Sequence, residues 1–180
     1  MAIRTVRSRL VYRSRWLALR EDEIERPDGS PGTYAVIEKP DFVLIIPIED
    51  DNLYLVEQYR FPVQARFLEF PQGSWELRPD ANPVEVARGE LQEETGLRAS
   101  RLDHLGHLFI AYGMSNQGFD VFRATGLTPG ARALEKEEQD LVVKRVRIAE
   151  FKQLVQAGEI KDAASISAWA LLMMKEAEVS

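Results

Sequence analysis

The sequence predicts an α+β fold in which a mixed β-sheet packs against helices, preceded by a small N-terminal β subdomain. Two observations lead to this prediction. Strand-like apolar runs separated by turn residues recur along the 180-residue chain, and only three segments have the pattern of a substantial helix, too few for a doubly wound parallel sheet. The length suits one domain with a small accessory subdomain. We therefore divide the chain into residues 1–38 and residues 39–180.

The first twenty residues carry six arginines and no acid: Arg4, Arg7, Arg9, Arg13, Arg15 and Arg20. Such a run is typical of a transit peptide or a nucleic-acid-binding arm. Apolar residues such as Leu10, Tyr12 and Leu17 lie between the arginines, however, and this content favours a strand. The Pro- and Gly-rich stretch 26–32 then predicts the turn of an N-terminal hairpin.

The central part of the chain reads as a series of strands. A continuous apolar run, a polar turn and a second apolar run, at 42–48, 49–52 and 53–60, predict a hairpin. A short strand is predicted within 67–73. Further strands are predicted at 104–111, 119–127 and 141–148, with a loop at 112–118, a long polar loop at 128–139 and helices at 149–158 and 162–178.

A charged helix is predicted between Asn82 and Gly96. Asn82 is a good N-cap, Pro83 suits the first helical position, and Gly96 suits the residue just past the end. At about 100° per residue, one side of this helix is apolar and faces the core. The residues of that side are Val84, Ala87 and Leu91.

A second side of the helix gathers three carboxylates, Glu90, Glu93 and Glu94. Like charges three or four residues apart cost about 0.2–0.5 kcal/mol each, and acids in the last turn oppose the helix dipole by about 0.3–1 kcal/mol. Gly89 adds roughly 1 kcal/mol. On a helix side that only faces solvent, nothing offsets these unfavourable energies. A divalent cation held between the carboxylates makes their close approach favourable. The pattern therefore favours a metal site.

The stretch GSWELRPDANPVEVARGELQEETGL resembles the Nudix box, in which a glycine, five residues, a glutamate and seven residues precede Arg-Glu-U-x-Glu-Glu-x-Gly-U, where U is aliphatic. The second half matches in register from Glu90 to Leu97. The chain departs from the pattern in three respects: Gly89 replaces the arginine, Ala81 replaces the upstream glutamate, and two extra residues follow Gly73. The box arginine orients a glutamate, and Arg78 and Arg88 are the candidates for that duty here.

The flanking segments VEQYRFP, LEFPQG and GEIKDAASISAWALL resemble the ADP-ribose pyrophosphatase branch of this family. The resemblance implies an α/β/α sandwich, a homodimer formed through the N-terminal subdomain, and Mg²⁺ or Mn²⁺ as cofactor. It also implies hydrolysis of a nucleoside diphosphate sugar, with ADP-ribose as the first choice and GDP-mannose or another nucleotide sugar as the alternative. A nucleotide-sensing module without turnover is the alternative of another class.

Site residues follow from the same resemblance. Glu90 and Glu94 are the principal metal ligands, Glu93 is an additional ligand or orienter, and the carbonyl of Gln72 adds an oxygen. Arg60 is the diphosphate clamp, beside Gly73 in the substrate site. The general base is expected on the late loop 134–139, as either Glu137 or Glu138.

Composition excludes several other classes. The net charge of −6 argues against a nucleic-acid partner, including an RNA end, because such binding needs a basic surface. No apolar run approaches the roughly 20 residues that span a bilayer, and no secretory signal is present. The chain has no cysteine, which is compatible with the cytoplasm. We expect no nucleic-acid or membrane partner.

Overall fold

The structure, a computed structural model, describes residues 2–75, 78, 80–132, 134 and 140–177. The strands of the described chain are β1 (Arg4–Arg13), β2 (Ala18–Glu25), β3 (Pro31–Glu38), β4 (Phe42–Glu49), β5 (Asn52–Arg60), β6 (Ala65–Glu69), β7 (Gln72–Gly73), β8 (Leu97–Phe109), β9 (Gly118–Pro129) and β10 (Val142–Arg147). The helices are α1 (Pro83–Thr95), α2 (Ile148–Ala157) and α3 (Ala163–Ala177). The start of the loop predicted at 128–139 belongs to β9, and β8 begins earlier than predicted.

The N-terminal strands form a separate antiparallel sheet in the order β1-β2-β3. The start of the arginine-rich segment is strand β1, as predicted, and three of its arginines, Arg4, Arg7 and Arg9, lie opposite acids on β2. Arg4 pairs with Glu25 at 3.1 Å, and Arg9 pairs with Glu21 at 2.8 Å. Opposite charges on neighbouring strands stabilise a sheet, so β2 compensates the concentration of positive charge on β1.

The main sheet is mixed. Its strand order is β10-β5-β4-β9-β8, with β6 paired to β5 and β7 paired to β4. Strands β4 and β9 are parallel, whereas the other pairs are antiparallel. The predicted hairpin of 42–60 is strands β4 and β5, joined at a tight turn.

Helices cover both faces of this sheet, which explains the continuous apolar run of β4. Successive side chains of a strand point to opposite faces. Val43 and Ile45 pack with α1 in one core cluster. Leu44 and Ile46 pack with α2 and α3 in a second cluster on the other face. The α/β/α arrangement is therefore built from a strand that is buried on both sides.

Helix α1 begins and ends where the sequence predicts. The Asn82 side chain accepts a hydrogen bond from the backbone N–H of Val84, and Gly96 adopts a left-handed conformation at φ 71°. The predicted core side was wrong at Val84, which is 38% exposed. The buried residues of the helix are Val86, Ala87, Glu90, Leu91 and Glu94. The prediction of a separate side for the carboxylates was wrong for Glu90 and Glu94, because the stripe that packs against both β4 and β7 carries apolar and acidic residues in alternation.

None of the helices in the described part of the chain combines the length and the apolar character needed to cross a bilayer.

Candidate active site

A cleft of about 340 Å³ opens where β7, α1 and the start of α3 meet. Its lining residues are Lys39, Phe42, Arg60, Gln72, Gly73, Ser74, Glu90, Ile110, Gln117, Asp162 and Ala164. Both signs of charge converge on this cleft, from elements that are far apart in the sequence. Such a concave site with a few convergent polar groups is the usual form of a small-molecule site.

The Glu90 carboxylate of α1 lines the floor of the cleft on the side of β7, and Glu94 lies beneath it. Glu90 and Glu94 are only 6% and 0% exposed. The backbone N–H of Gln72 donates a hydrogen bond of 3.2 Å to Glu94 Oε2. A Cβ atom added to Gly73 would lie only 2.5 Å from the Cδ atom of Glu90. Glycine at position 73 therefore allows the strand to pass directly over the Glu90 carboxylate.

Arg60 lies at the edge of the cleft and is held by a buried acid. Its guanidinium binds Glu69 through Nε, at 3.2 Å, and through Nη2, and Gln58 Nε2 donates to Glu69 at 2.7 Å. Burial acts most strongly on the pKa of Arg60 and lowers it, but the carboxylates of Glu69, Glu94 and Asp162 together leave that pKa above its usual value. Arg60 is thus a fixed cation facing the acidic floor.

The pKa of Glu69 is also shifted. Burial raises this pKa above its usual value, and the ion pair with Arg60 offsets only part of the shift. A buried carboxylate with one cationic partner and one amide partner is well satisfied in hydrogen bonds, while its desolvation still disfavours the charged form. Glu69 therefore holds Arg60 in place, and the positive charge of Arg60 in turn favours the ionised form of Glu69.

Asp162 brings the N-terminus of α3 to the cleft. Its Oδ2 atom accepts hydrogen bonds from the backbone N–H of Ser165 at 2.8 Å and from the Ser165 hydroxyl at 2.7 Å. Gln72 Nε2 donates to the same oxygen at 3.3 Å. The Ser165 hydroxyl in turn accepts from the N–H of Phe70 at 2.8 Å. Asp162 therefore ties α3 to the segment that carries Gln72.

Two domain matches cover almost the whole chain. Residues 3–37 match the nucleoside diphosphate sugar hydrolase N-terminal domain, and residues 39–172 match the NUDIX domain. This chain belongs to the Nudix family. The family predicted from the box is confirmed, although Gly89 and Ala81 depart from the box pattern.

Individual relatives agree with this assignment. An ADP-ribose pyrophosphatase of Mycobacterium tuberculosis (strain ATCC 25618 / H37Rv) is 33% identical over 165 residues, which are 91% of this chain and 79% of that protein. A methanol dehydrogenase activator of Bacillus methanolicus is 27% identical over 97% of this chain and 94% of that protein. The crystal structure of an ADP compounds hydrolase superposes with a TM-score of 0.86 at 25% identity, covering 97% of this chain and 94% of that chain. The Nudix fold is confirmed, and the chain is a hydrolase.

The structure brings together several of the site residues predicted from the Nudix resemblance. Arg60, Gln72, Gly73 and Glu90 line the cleft, and Glu94 lies beneath it in contact with Gln72. Glu93 is half-buried on the same helix but does not line the cleft. Glu137 and Glu138 lie outside the described residues, so the predicted general base remains a prediction.

Asp162 and Glu69 were not assigned a role from the sequence. Both belong to segments that carry the family resemblance, LEFPQG and GEIKDAASISAWALL. That resemblance was the sequence signal that could have identified them. The sequence contains no information on the distance between these segments. Only the pairing of β5 with β6 and the packing of α3 place the two acids around Arg60.

The two candidates for the duty of the absent box arginine, Arg78 and Arg88, each contact another group. Arg88 donates from Nη1 to the carbonyl of Ala99 at 2.8 Å, on the side of β8. The guanidinium of Arg78 lies over the Trp75 ring, 5.0 Å from its centroid. Space above Gly89 is taken by Trp75, since an added Cβ on the glycine would overlap the indole. The indole packs against the helix at this position.

Proposed function

We propose that the protein hydrolyses the pyrophosphate bond of a nucleoside diphosphate linked to a sugar in a metal-dependent reaction, with ADP-ribose giving AMP and ribose 5-phosphate. The observation that carries the proposal is the burial of Glu90 and Glu94 under β7, in the cleft that Arg60 also lines. A diphosphate is an anionic group that an arginine and a metal ion can bind together. The ADP-ribose pyrophosphatase of M. tuberculosis supports ADP-ribose as the first substrate to test.

The donor set fits a hard divalent cation. Within the described part of the chain, no three acidic or histidine side chains converge on one point as a complete metal cage. Mg²⁺ rarely uses such a cage, because it keeps several waters and is bound by one or two carboxylates together with substrate phosphates. Glu90 and Glu94 supply two carboxylates, and we assign the Gln72 carbonyl and Glu93 as supplementary oxygens. Mg²⁺, or Mn²⁺ with the same ligand preference, is therefore the proposed cofactor.

A bound divalent ion polarises phosphoryl oxygens and lowers the pKa of an attacking water. The protein groups provide the remaining functions. Arg60 is positioned by Glu69 to bind a diphosphate oxygen, and its planar guanidinium suits paired phosphate contacts. Because residue 73 has no side chain, β7 lies close to the Glu90 carboxylate and leaves room for the diphosphate to approach it. Either Glu137 or Glu138 is proposed to remove the proton from the water.

We also propose that the N-terminal sheet forms a homodimer interface in the cytoplasm. Strand β1 is exposed along its whole length. Its apolar side chains include Val6, Leu10 and Tyr12, each more than half exposed, and exposed apolar patches commonly mark interfaces. Sedimentation equilibrium measures the assembly directly. A monomer at micromolar concentration contradicts this proposal and leaves the hydrolase assignment intact.

The substrate is tested by incubating the protein with ADP-ribose, GDP-mannose and dinucleotides in Mg²⁺ or Mn²⁺, and by resolving the products chromatographically. We expect AMP and ribose 5-phosphate from ADP-ribose. Release of GMP from GDP-mannose at a higher kcat/KM would replace the proposed substrate with the alternative. Tight ADP-ribose binding without AMP release in excess Mg²⁺ would instead indicate a sensing module.

A matched pair of variants tests the role of Arg60. Arg60→Lys keeps the charge but cannot form the two-pronged contact, and we expect kcat/KM to fall about 10- to 100-fold, since a hydrogen bond to a charged group contributes about 1.5–3 kcal/mol. Arg66→Lys is the control, because Arg66 pairs with Glu57 and Asp140 and does not line the cleft. Equal kcat/KM values for the two variants would remove the clamp from the proposal.

A further inference from the structure

Strand β7 and the residues that follow it run along α1 and contact the helix at successive points. The first two contacts involve Gln72 and Gly73, as described above. The third joins Trp75 to Gly89. A Cβ atom added to Gly89 would overlap Cζ2 of the indole and would lie 3.3 Å from Cε2. The indole therefore rests directly on the helix backbone, one residue before Glu90.

Strand β7 is held only weakly by the sheet itself. It has two residues, which pair with Val43 and Leu44 of β4, and the chain leaves the sheet immediately afterwards. Trp75 is the next residue with a defined anchor, since its ring packs against the core cluster between α1 and the sheet. This contact fixes the segment at the point where pairing with β4 has ended.

A cation holds the indole from the loop side. The Arg78 guanidinium lies over the ring, 5.0 Å from its centroid, and Arg78 Nη2 is 3.7 Å from the Glu85 carboxylate in the first turn of α1. The backbone N–H of Arg78 also donates to the Trp75 carbonyl at 2.7 Å. Trp75 is therefore tied to α1 both directly, at Gly89, and through Arg78.

We propose that Trp75 is a positioning residue for this site, which sets the separation of β7 and α1 and so holds Gly73 over the Glu90 carboxylate. The inference rests on the proposed function, in which Glu90 serves the reaction. Glycine at position 89 is required by the same arrangement, because any side chain there meets the indole. The rival explanation is that Trp75 only fills space beside the core.

Four chains separate these explanations: wild type, Gly89→Ala, Trp75→Ala and the double variant. Alanine is the better helix former, so Gly89→Ala is harmful only through the indole. We expect this variant to lower kcat for ADP-ribose on the order of 100-fold, as a displacement of about 1 Å in a site can, with a smaller change in KM. Calorimetric titration with Mn²⁺ alone should show weaker binding. In the Trp75→Ala background the same substitution should change neither quantity further.

The conservative variant Trp75→Phe should retain a larger share of kcat than Trp75→Ala, because a flat ring remains against the helix. The proposal is overturned if Gly89→Ala lowers Tm but leaves kcat and Mn²⁺ affinity at wild-type values. It is also overturned if the substitution acts equally with and without the indole. A wild-type chain that releases no AMP overturns the proposed function instead, and the Mn²⁺ titrations of the four chains then still decide the role of Trp75.

Discussion

Replacing Glu94 by glutamine should change the stability of the protein in opposite directions with and without a divalent metal ion. Glu94 is fully buried, and its Oε2 atom accepts a hydrogen bond from the N–H of Gln72. Glutamine has the same shape, and its amide oxygen can accept the same bond. We therefore expect Glu94→Gln to fold, with the loss of one negative charge as the main change.

The expected magnitude follows from the position of Glu94 on the helix. Without metal, the variant gains about 0.2–0.5 kcal/mol from lost repulsion with Glu90 and about 0.3–1 kcal/mol from the helix dipole. The lost attraction to Arg60 opposes this gain, but Arg60 keeps its hydrogen-bonded partner Glu69. With Mg²⁺ at 100 times its Kd, the wild type gains about 2.7 kcal/mol. Since the variant does not bind the ion at this site, it should become the less stable protein by roughly 1–2 kcal/mol.

Urea unfolding in EDTA and in excess Mg²⁺ measures both differences, and turnover of ADP-ribose is expected to fall by orders of magnitude in the variant. Glu85→Gln is the matched control on the same helix. Its carboxylate is exposed in the first turn, so the variant should lose about 0.3–1 kcal/mol regardless of metal. An unchanged order of stability in the two solutions, or equal stabilisation of wild type and Glu94→Gln by Mg²⁺, would refute the metal-ligand assignment.

Three further predictions follow from the site. Gly73→Ala places a methyl group against the Glu90 carboxylate and should lower kcat. The control Gly113→Ala has no atom within 4 Å of the added methyl group and should keep the wild-type kcat. Similar steady-state rates for the two variants would show that the close approach of β7 to Glu90 is unimportant. The pKa of Glu69 is raised in the folded protein, which disfavours the ionised carboxylate there. As pH rises above the unfolded value of 4.5 and through the folded pKa, the wild type should therefore lose stability relative to Glu69→Gln. Plots of unfolding free energy against pH that run parallel for the two proteins from pH 4 to pH 8 would contradict the raised pKa. One of the two variants Glu137→Gln and Glu138→Gln should lose turnover, and its pH profile should no longer show the rise of kcat that accompanies deprotonation of the general base. Full activity in both variants would place the general base elsewhere.

The sequence predicted the parts of this structure that local chemistry decides. Asn82 and Gly96 define the ends of α1 because an N-cap side chain and a left-handed glycine satisfy backbone groups at those positions. The side of α1 that is buried was predicted less well, with Val86 in the core in place of Val84. Periodicity gives the spacing of a stripe, whereas its rotation depends on which sheet and loop the helix meets.

The candidate site shows the same division between local and long-range information. Glu90 and Glu94 were singled out because their helical spacing and position at the C-terminal end of the helix are locally unfavourable. Asp162 was missed, because an acid before a helix is ordinarily a cap, and here it does cap α3. Its second contact, with Gln72, depends on the start of α3 lying beside β7, which no local pattern in either segment encodes.

Tertiary packing explains how α1 tolerates residues that weaken an isolated helix. Gly89 lowers helix propensity by about 1 kcal/mol, and Glu90 and Glu94 add repulsion in the next turn. The same stripe buries Val86, Ala87 and Leu91 against the sheet, and full burial of one aliphatic side chain contributes about 1.5–3 kcal/mol. The apolar residues of the helix therefore outweigh the local penalties. Because the sheet fixes the helix, α1 can carry Gly89 beneath the Trp75 indole and Glu90 and Glu94 beneath β7, although these residues would weaken an isolated helix.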